Sequence, residues 1–119
     1  MIKVGTSGFS FPDWKGPVYP AGIQEKDMLP FYEKELGFNV LEVNFTYYTL
    51  PSQKTLAGMA QKTSENFEFV VKSFKGMTHE TWDKKTNTRI DHQEIFKKFK
   101  HGLVPLIEEK KLGCVLAQF

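Results

Sequence analysis

The chain contains 119 residues with a mass of 13.7 kDa, which is the size of one ordinary domain. Apolar residues make up 40% and charged residues 25%, close to the values of globular proteins, which argues against an intrinsically disordered chain. The formal net charge is only +2, and Arg89 is the one arginine among sixteen basic residues. This composition makes nucleic acid an unfavoured partner.

The cysteine content and the hydropathy exclude several further classes of protein. Cys114 is the only cysteine, which excludes an internal disulfide and a cysteine-based zinc site. No apolar run approaches the ~20 residues of a membrane helix, and the N-terminal sequence has no signal-peptide hydrophobic segment. We therefore expect a soluble, cytoplasmic protein with no membrane partner, and we expect Cys114 to lie in the core.

Strand-like and helix-like segments alternate along the chain. Four short apolar segments have the composition of strands: 2–5, 39–45, 67–72 and 114–119. Between them, apolar residues recur at helical spacing in 27–36, in a segment capped by Ser52, and in a longer segment that Asp91 opens like a capping box. Pro30 is expected in the first turn of its helix, and Pro105 is expected to kink or break the third helix.

The order βαβαβαβ predicts parallel strands joined by right-handed crossovers, as in a doubly wound sheet or a (β/α)8 barrel. Polar residues on one face near the C-terminal strand ends favour the barrel, because doubly wound strands are apolar on both faces. The predicted fold class is therefore α/β. Parallel (β/α) units, with about four strands and three helices, form the N-terminal half of a TIM-like barrel as a single domain over 1–119.

A complete barrel of this type needs ~250 residues. A half-barrel exposes two sheet edges and the inner face of its strands, and such edges favour pairing with another chain. We therefore expect self-association through the exposed barrel edges.

Four motifs in order resemble those of the YecE-like family, also called domain of unknown function 72. They are GTSGF at 5–9 with Trp14 and Tyr19-Pro20 after it, LEVNFTYY at 41–48, FEFVVK at 67–72 with Thr78-His79 after it, and GCVLAQ at 113–118. The resemblance implies a TIM-like barrel, of which this chain matches the first half. It implies no established activity, although a relation of the family to sugar isomerases has been suggested.

Three residues are predicted to be catalytic. Glu42 at a barrel mouth is predicted as a general base or metal ligand, with an ion pair to Lys72 as the alternative. Lys72 is predicted to bind an anion or to form that ion pair, in preference to a Schiff base. His79, in the loop after the third strand, is predicted as an acid/base, with a solvated loop histidine as the alternative.

Five further residues are predicted to bind a ligand. Ser7 lies in a glycine-rich turn that suits a phosphate or sugar oxygen, although no P-loop motif is present. Asn44 shares a strand face with Glu42, and Gln118 is expected on the fourth strand. Trp14 and Tyr48 are the aromatic side chains best suited to a sugar face or a base. No metal-spacing motif is present, so no metal is assigned, and the cofactor is unknown.

Three hypotheses for the function follow. The first is an enzyme-type pocket for a small sugar-like or phosphorylated molecule, with acid/base chemistry of isomerase or hydrolase type. The second is a module that binds nucleotides or single-stranded nucleic acid through its aromatic loops and lysines. The third is a non-catalytic half-barrel that self-associates.

Overall fold

The computed structural model describes residues 2–119. In chain order the elements are β1 (Gly5–Ser7), α1 (Glu25–Lys34), β2 (Val40–Val43), α2 (Gln53–Gln61), β3 (Glu68–Lys72), α3 (Lys75–Thr78), β4 (Trp82–Asp83), β5 (Thr88–Arg89), α4 (His92–Glu108) and β6 (Leu112–Leu116). Strands β1, β2, β3 and β6 form one sheet in that order, and every pair is parallel. The predicted α/β fold with four parallel strands is confirmed.

The two faces of this sheet differ. On the outer face of β2 and β3, Leu41, Val43, Phe69 and Val71 are at most 2% exposed and pack against the helices. The alternate residues of these strands point to the opposite side, which we call the inner face, and are only half-buried. Because successive strand residues alternate sides, one face forms the hydrophobic core and the other keeps polar groups accessible.

The prediction of a first strand over residues 2–5 is wrong in its bounds. In the structure β1 begins at Gly5, which is its first residue to pair with β2, opposite Val40. A side chain at Gly5 would collide with the carbonyl group of Val40, so the glycine permits this close strand approach. Ile2 and Val4, which the sequence places in the strand, lie before it and are exposed.

Helices α1 and α2 begin in different ways. The Ser52 hydroxyl accepts a hydrogen bond from the Thr55 N–H at 3.2 Å and caps α2 as predicted. Helix α1 begins at Glu25, so Pro30 lies inside the helix, and the prediction that it occupies the first turn is wrong. The carbonyl that Pro30 cannot bond belongs to Lys26, and Lys26 is exposed to water, which explains why the helix tolerates this proline.

Helix α4 continues through Pro105 to Glu108, so the proline does not break it. A proline at this position leaves the His101 carbonyl without its helical partner. The Gln53 Nε2 atom donates a hydrogen bond to that carbonyl at 2.8 Å. Gly102, one residue further, lies against the backbone of Pro51, where a larger side chain would collide. Helices α2 and α4 therefore pack closely, and α2 satisfies the group that Pro105 frees.

Strand β6 contains a β-bulge and forms one edge of the sheet. Phe69 pairs with Leu112, but Val70 pairs with Cys114, so Gly113 is the extra residue. Cys114 is exposed, and the expectation that it lies in the core is wrong: Leu112 packs against the core, but the rest of this edge strand, Gly113–Leu116, is exposed. The strand ends at Leu116 instead of continuing to Phe119.

Two short elements after β3 were not predicted from the sequence. They are the four-residue α3 and the antiparallel hairpin of β4 and β5, in which Trp82 pairs with Arg89. None of the helices in residues 2–119 has the length and hydropathy that crossing a bilayer requires.

Candidate functional site

Four polar side chains lie on the inner face where the parallel strands end. We call them the strand-end cluster: Ser7 of β1, Glu42 and Asn44 on and after β2, and Lys72 of β3. Ser7 lies directly opposite Glu42 in the pairing of β1 with β2, and the Asn44 Nδ2 atom donates a hydrogen bond to the Ser7 hydroxyl at 3.3 Å. Parallel strands bring their C-terminal ends to one edge, and barrel enzymes place their catalytic groups there.

Glu42 stands between two depressions in the surface. One, of about 180 Å³, is walled by the aromatic rings of Phe9, Phe11 and Phe45. The other, of about 390 Å³, extends along the inner face toward Glu68. The half-buried Glu42 carboxylate has no hydrogen-bond or ion-pair partner within residues 2–119. A carboxylate placed in this way is free to accept hydrogen bonds or a proton from a bound molecule.

Lys72 contacts an aromatic ring instead of a carboxylate. Its Nζ atom lies 4.9 Å from the centroid of the Tyr47 ring, a cation–π contact. The ion pairs within residues 2–119 are Lys3 with Glu68 and Lys75 with Glu80. The alternative of an ion pair between Glu42 and Lys72 is therefore wrong in this structure, since the Tyr47 ring receives the Lys72 ammonium group.

A buried threonine fastens the ends of β2 and β3 to one another. Thr46 lies in the 3₁₀ turn Phe45–Tyr47 that follows β2. Its hydroxyl donates a hydrogen bond to the Lys72 carbonyl at 2.6 Å and lies 3.2 Å from the Val43 carbonyl. Sequence reasoning missed this role, because it depends on a contact between residues 26 positions apart. Thr46 sets the spacing of the two strand ends that carry the cluster.

His79 and Tyr48 join the cluster through Tyr47. The His79 ring stands edge-on to Tyr47 with 5.5 Å between ring centroids, and its Nδ1 atom lies 2.7 Å from the Thr78 hydroxyl. Tyr48 contacts Tyr47 at 5.0 Å and is 70% exposed. The structure therefore brings both predicted residues into contact with Tyr47, whose ring also contacts Lys72.

Two of the predicted ligand-binding residues lie elsewhere. Trp14 belongs to the 3₁₀ turn Pro12–Trp14 and packs between Phe11 and Tyr19, at ring distances of 5.0 and 5.7 Å. Gln118 lies two residues beyond the end of β6 and is exposed. Trp14 therefore stabilises the loop after β1 through aromatic packing.

Two buried tyrosines hold β1 and the loop that follows it. The Tyr32 hydroxyl accepts a hydrogen bond from the Thr6 N–H at 2.8 Å and donates to the Val40 carbonyl at 2.9 Å. The Tyr19 hydroxyl donates to the Phe9 carbonyl at 2.7 Å. Burial, with a smaller contribution from Tyr32, raises the pKa of Tyr19 to about 12.

Metal-ligating side chains do not cluster in the described part of the chain. Within 2–119, no three side chains of the His, Cys, Asp and Glu types come together.

Comparisons with a family model, with a curated protein and with solved structures all point to one family. Residues 3–119 match the family model described as "Protein of unknown function DUF72". The chain is 28% identical over 120 residues to the UPF0759 protein YunF of Bacillus subtilis (strain 168), covering all of this chain and 40% of that protein.

Two solved structures of DUF72 family proteins are also similar over the whole chain. The protein from Thermotoga maritima MSB8 is 45% identical with a TM-score of 0.81, and 44% of its chain is covered. The protein from Enterococcus faecalis V583 is 27% identical with a TM-score of 0.75, and 40% of its chain is covered. The present chain thus spans about two fifths of the length of these relatives, and its sheet is the corresponding part of a TIM-like barrel.

Proposed function

Since this chain belongs to the DUF72 family, whose members are proteins of unknown function, we propose its function from the chemistry of the strand-end cluster. The cluster forms part of an enzyme-type pocket for a small sugar-like or phosphorylated molecule, with acid/base chemistry of isomerase or hydrolase type. The chain spans about two fifths of the length of its relatives. The proposed activity is therefore that of a whole protein of this family, to which this chain contributes the strand-end cluster.

One observation carries the proposal. The Glu42 carboxylate is half-buried at a strand end, has no partner within residues 2–119, and lies beside the hydrogen-bonded pair of Ser7 and Asn44. A carboxylate in this setting can move a proton to or from a bound ligand. The amide and hydroxyl groups can hold ligand hydroxyl groups at the same time. His79 supplies a second group that can exchange a proton.

The test is a two-dimensional NMR titration of the isotope-labelled 119-residue chain with uncharged sugars and with sugar phosphates. We expect shifts at the amides of Ser7, Glu42 and Asn44. Glu42→Gln should weaken binding by about tenfold, because it removes a charged hydrogen-bond acceptor. Glu108→Gln is the matched control at the end of α4. Equal binding by the two variants, or shifts confined to α4, would contradict the proposal.

A second candidate function, self-association, has support from the surface of the chain. The accessible surface is 7918 Å², whereas a compact monomer of this mass exposes about 6,600 Å². The radius of gyration is 15.9 Å, against about 13.5 Å for a compact domain of this length. The excess of about 1,300 Å² exceeds the ~800 Å² that each partner buries in a stable interface.

Part of the exposed apolar surface lies at the two edges of the sheet, which have no neighbouring strand within residues 2–119. Val4 beside β1 and Val115 and Leu116 of β6 are 62%, 41% and 39% exposed. Both edge strands run in the same direction, so a twofold axis along the strands would place β6 of one copy beside β1 of another. Two four-stranded sheets also supply the eight strands of a barrel. We propose a second copy of this chain as the partner.

Light scattering during size-exclusion chromatography tests this candidate. We expect a species of twice 13.7 kDa, in which Cys114 reacts slowly with a thiol reagent. Leu116→Lys should give a monomer with a reactive Cys114, whereas Val18→Lys, at an equally exposed loop position, should leave the dimer intact. A wild-type monomer, or aggregates without a fixed mass, would reject the dimer.

The cytoplasmic location and the nucleic-acid alternative stay predictions from the sequence.

A further inference from the structure

We infer that Tyr47 organises an anion-binding subsite in which Lys72 and His79 hold a phosphate group of the ligand. The inference rests on the proposed function, since it specifies the ligand of the same pocket. It divides the strand ends into a hydroxyl-binding part, formed by Ser7, Glu42 and Asn44, and an anion-binding part around Tyr47.

The geometry around Tyr47 brings together groups from three elements. Lys72, at the end of β3, places its ammonium group 4.9 Å from the ring centroid. His79, which follows α3, places its ring 5.5 Å from the same centroid. Since both distances share one reference point, the two groups lie at most about 10 Å apart. Tyr47 itself lies in the turn after β2, so its ring contacts both side chains from the strand that carries Glu42.

The charges around this ring favour an anion. Neither Lys72 nor His79 forms an ion pair with a carboxylate in the part of the chain that the structure describes. The neighbouring Lys75 is already neutralised by Glu80 at 3.2 Å. An ammonium group without a carboxylate, held at a strand end, leaves its hydrogen-bond donors available to a phosphate oxygen.

The orientation of His79 suits the same role. Its Nδ1 atom is occupied by the Thr78 hydroxyl at 2.7 Å. When that hydroxyl donates to Nδ1, the ring proton is on Nε2, which can then donate to an anion. The exposed position of His79 leaves this nitrogen open to a ligand. Two donors of different kinds therefore border one aromatic platform.

The first experiment is an NMR titration of the 119-residue chain with inorganic phosphate. We expect saturable shifts of the His79 ring protons and of the Lys72 amide. Lys72→Met should weaken phosphate binding by about tenfold, while Lys100→Met, the same change on exposed α4, should not. Tyr47→Leu should weaken it by about three- to fivefold through loss of the platform, and Tyr47→Phe should restore it. The amide spectra of the variants verify that each remains folded.

The outcomes separate this inference from the proposed function. Shifts by uncharged sugars at Ser7 and Asn44 without phosphate binding would overturn the subsite and leave the proposed pocket standing. Phosphate binding without any response to sugars would support the subsite and overturn the proposed sugar-binding pocket. Acetate binding as tightly as phosphate would point to a carboxylate ligand and would overturn the assignment to phosphate. Equal phosphate affinity in Lys72→Met and Lys100→Met would overturn the subsite.

Discussion

The two faces of the same two strands have opposite environments. On β3, the side chain of Phe69 is fully buried beneath the helices, while its neighbours Val70 and Lys72 remain half-exposed on the inner face. On β2, Leu41 and Glu42 differ in the same way. The difference shows that the helix-covered face supplies the stability of the sheet. The inner face is left free to carry groups that bind ligands or partners.

Two lysines show the same contrast. Lys111, on the helix-covered side, is 5% exposed, and its ammonium group donates to the Ala60 carbonyl at 2.6 Å and to the Thr63 carbonyl and hydroxyl at 3.0 and 3.1 Å. Lys72, on the inner face, has the Tyr47 ring as its neighbour. A buried charge must be fully hydrogen-bonded, whereas the half-exposed Lys72 keeps its donors for another molecule.

The largest effect should come from a truncation on the covered face. Phe69→Ala should lower the free energy of unfolding by about 3–5 kcal/mol, since it opens a cavity in the core. Val70→Ala on the inner face should cost about 1 kcal/mol or less, because that side chain is already partly exposed to water. Urea unfolding followed by circular dichroism measures both. Similar losses for the two variants would show that the inner face is also packed.

The second effect is alkaline destabilisation through Tyr19, which is buried in the loop after β1. Its pKa rises from 10.0 to about 12 in the folded chain. Below pH 10 the contribution of Tyr19 to stability is fully present, because its hydroxyl is protonated in both the folded and the unfolded chain. Between pH 10 and 12 only the unfolded chain releases the proton, so stability should fall by about 3 kcal/mol. Tyr19→Phe should lack this loss, and parallel pH profiles of the two proteins would contradict it.

The third effect concerns Lys111, the buried lysine. Lys111→Met should lower the free energy of unfolding by about 2 kcal/mol, because buried carbonyl groups lose a charged donor. Lys110→Met, at the adjacent exposed position, should change it by less than about 0.5 kcal/mol. Thermal and urea unfolding of the two variants provide the comparison. An equal effect at both positions would indicate that Lys111 contributes no more than a surface residue.

The smallest effect should be on the inner face itself. Glu42→Gln should change the free energy of unfolding by less than about 0.5 kcal/mol, because its carboxylate has no partner to lose within residues 2–119. The same unfolding measurement tests this. A loss above about 1 kcal/mol would mean that Glu42 supports the fold, which would weaken its role as a ligand-binding group.

Much of the fold could be predicted because alternation along the strands and helical spacing are local properties. The same alternation placed Glu42, Asn44 and Lys72 on one face, although the ring contact of Lys72 could not be predicted. That contact, like the one between Thr46 and β3, joins residues 25 or 26 positions apart, and single-sequence patterns do not report such pairs. The hairpin of β4 and β5 was missed because two-residue strands have no detectable period.

The bulge at Gly113 determines which side chains β6 presents to each side of the sheet. If the same sequence paired without a bulge, Gly113 would lie opposite Val70 and Cys114 opposite Val71, so Cys114 and Leu116 would point toward the helices and Val115 toward the inner face. A side chain at Gly113 would also collide with the Glu68 carboxylate. Deleting Gly113 would join Leu112 directly to Cys114 and would keep the present pairing, so each later residue of β6 would still face the same side of the sheet. The bulge therefore lets β6 carry one additional residue and still present Cys114 and Leu116 on the inner face, beside Val70 and Lys72.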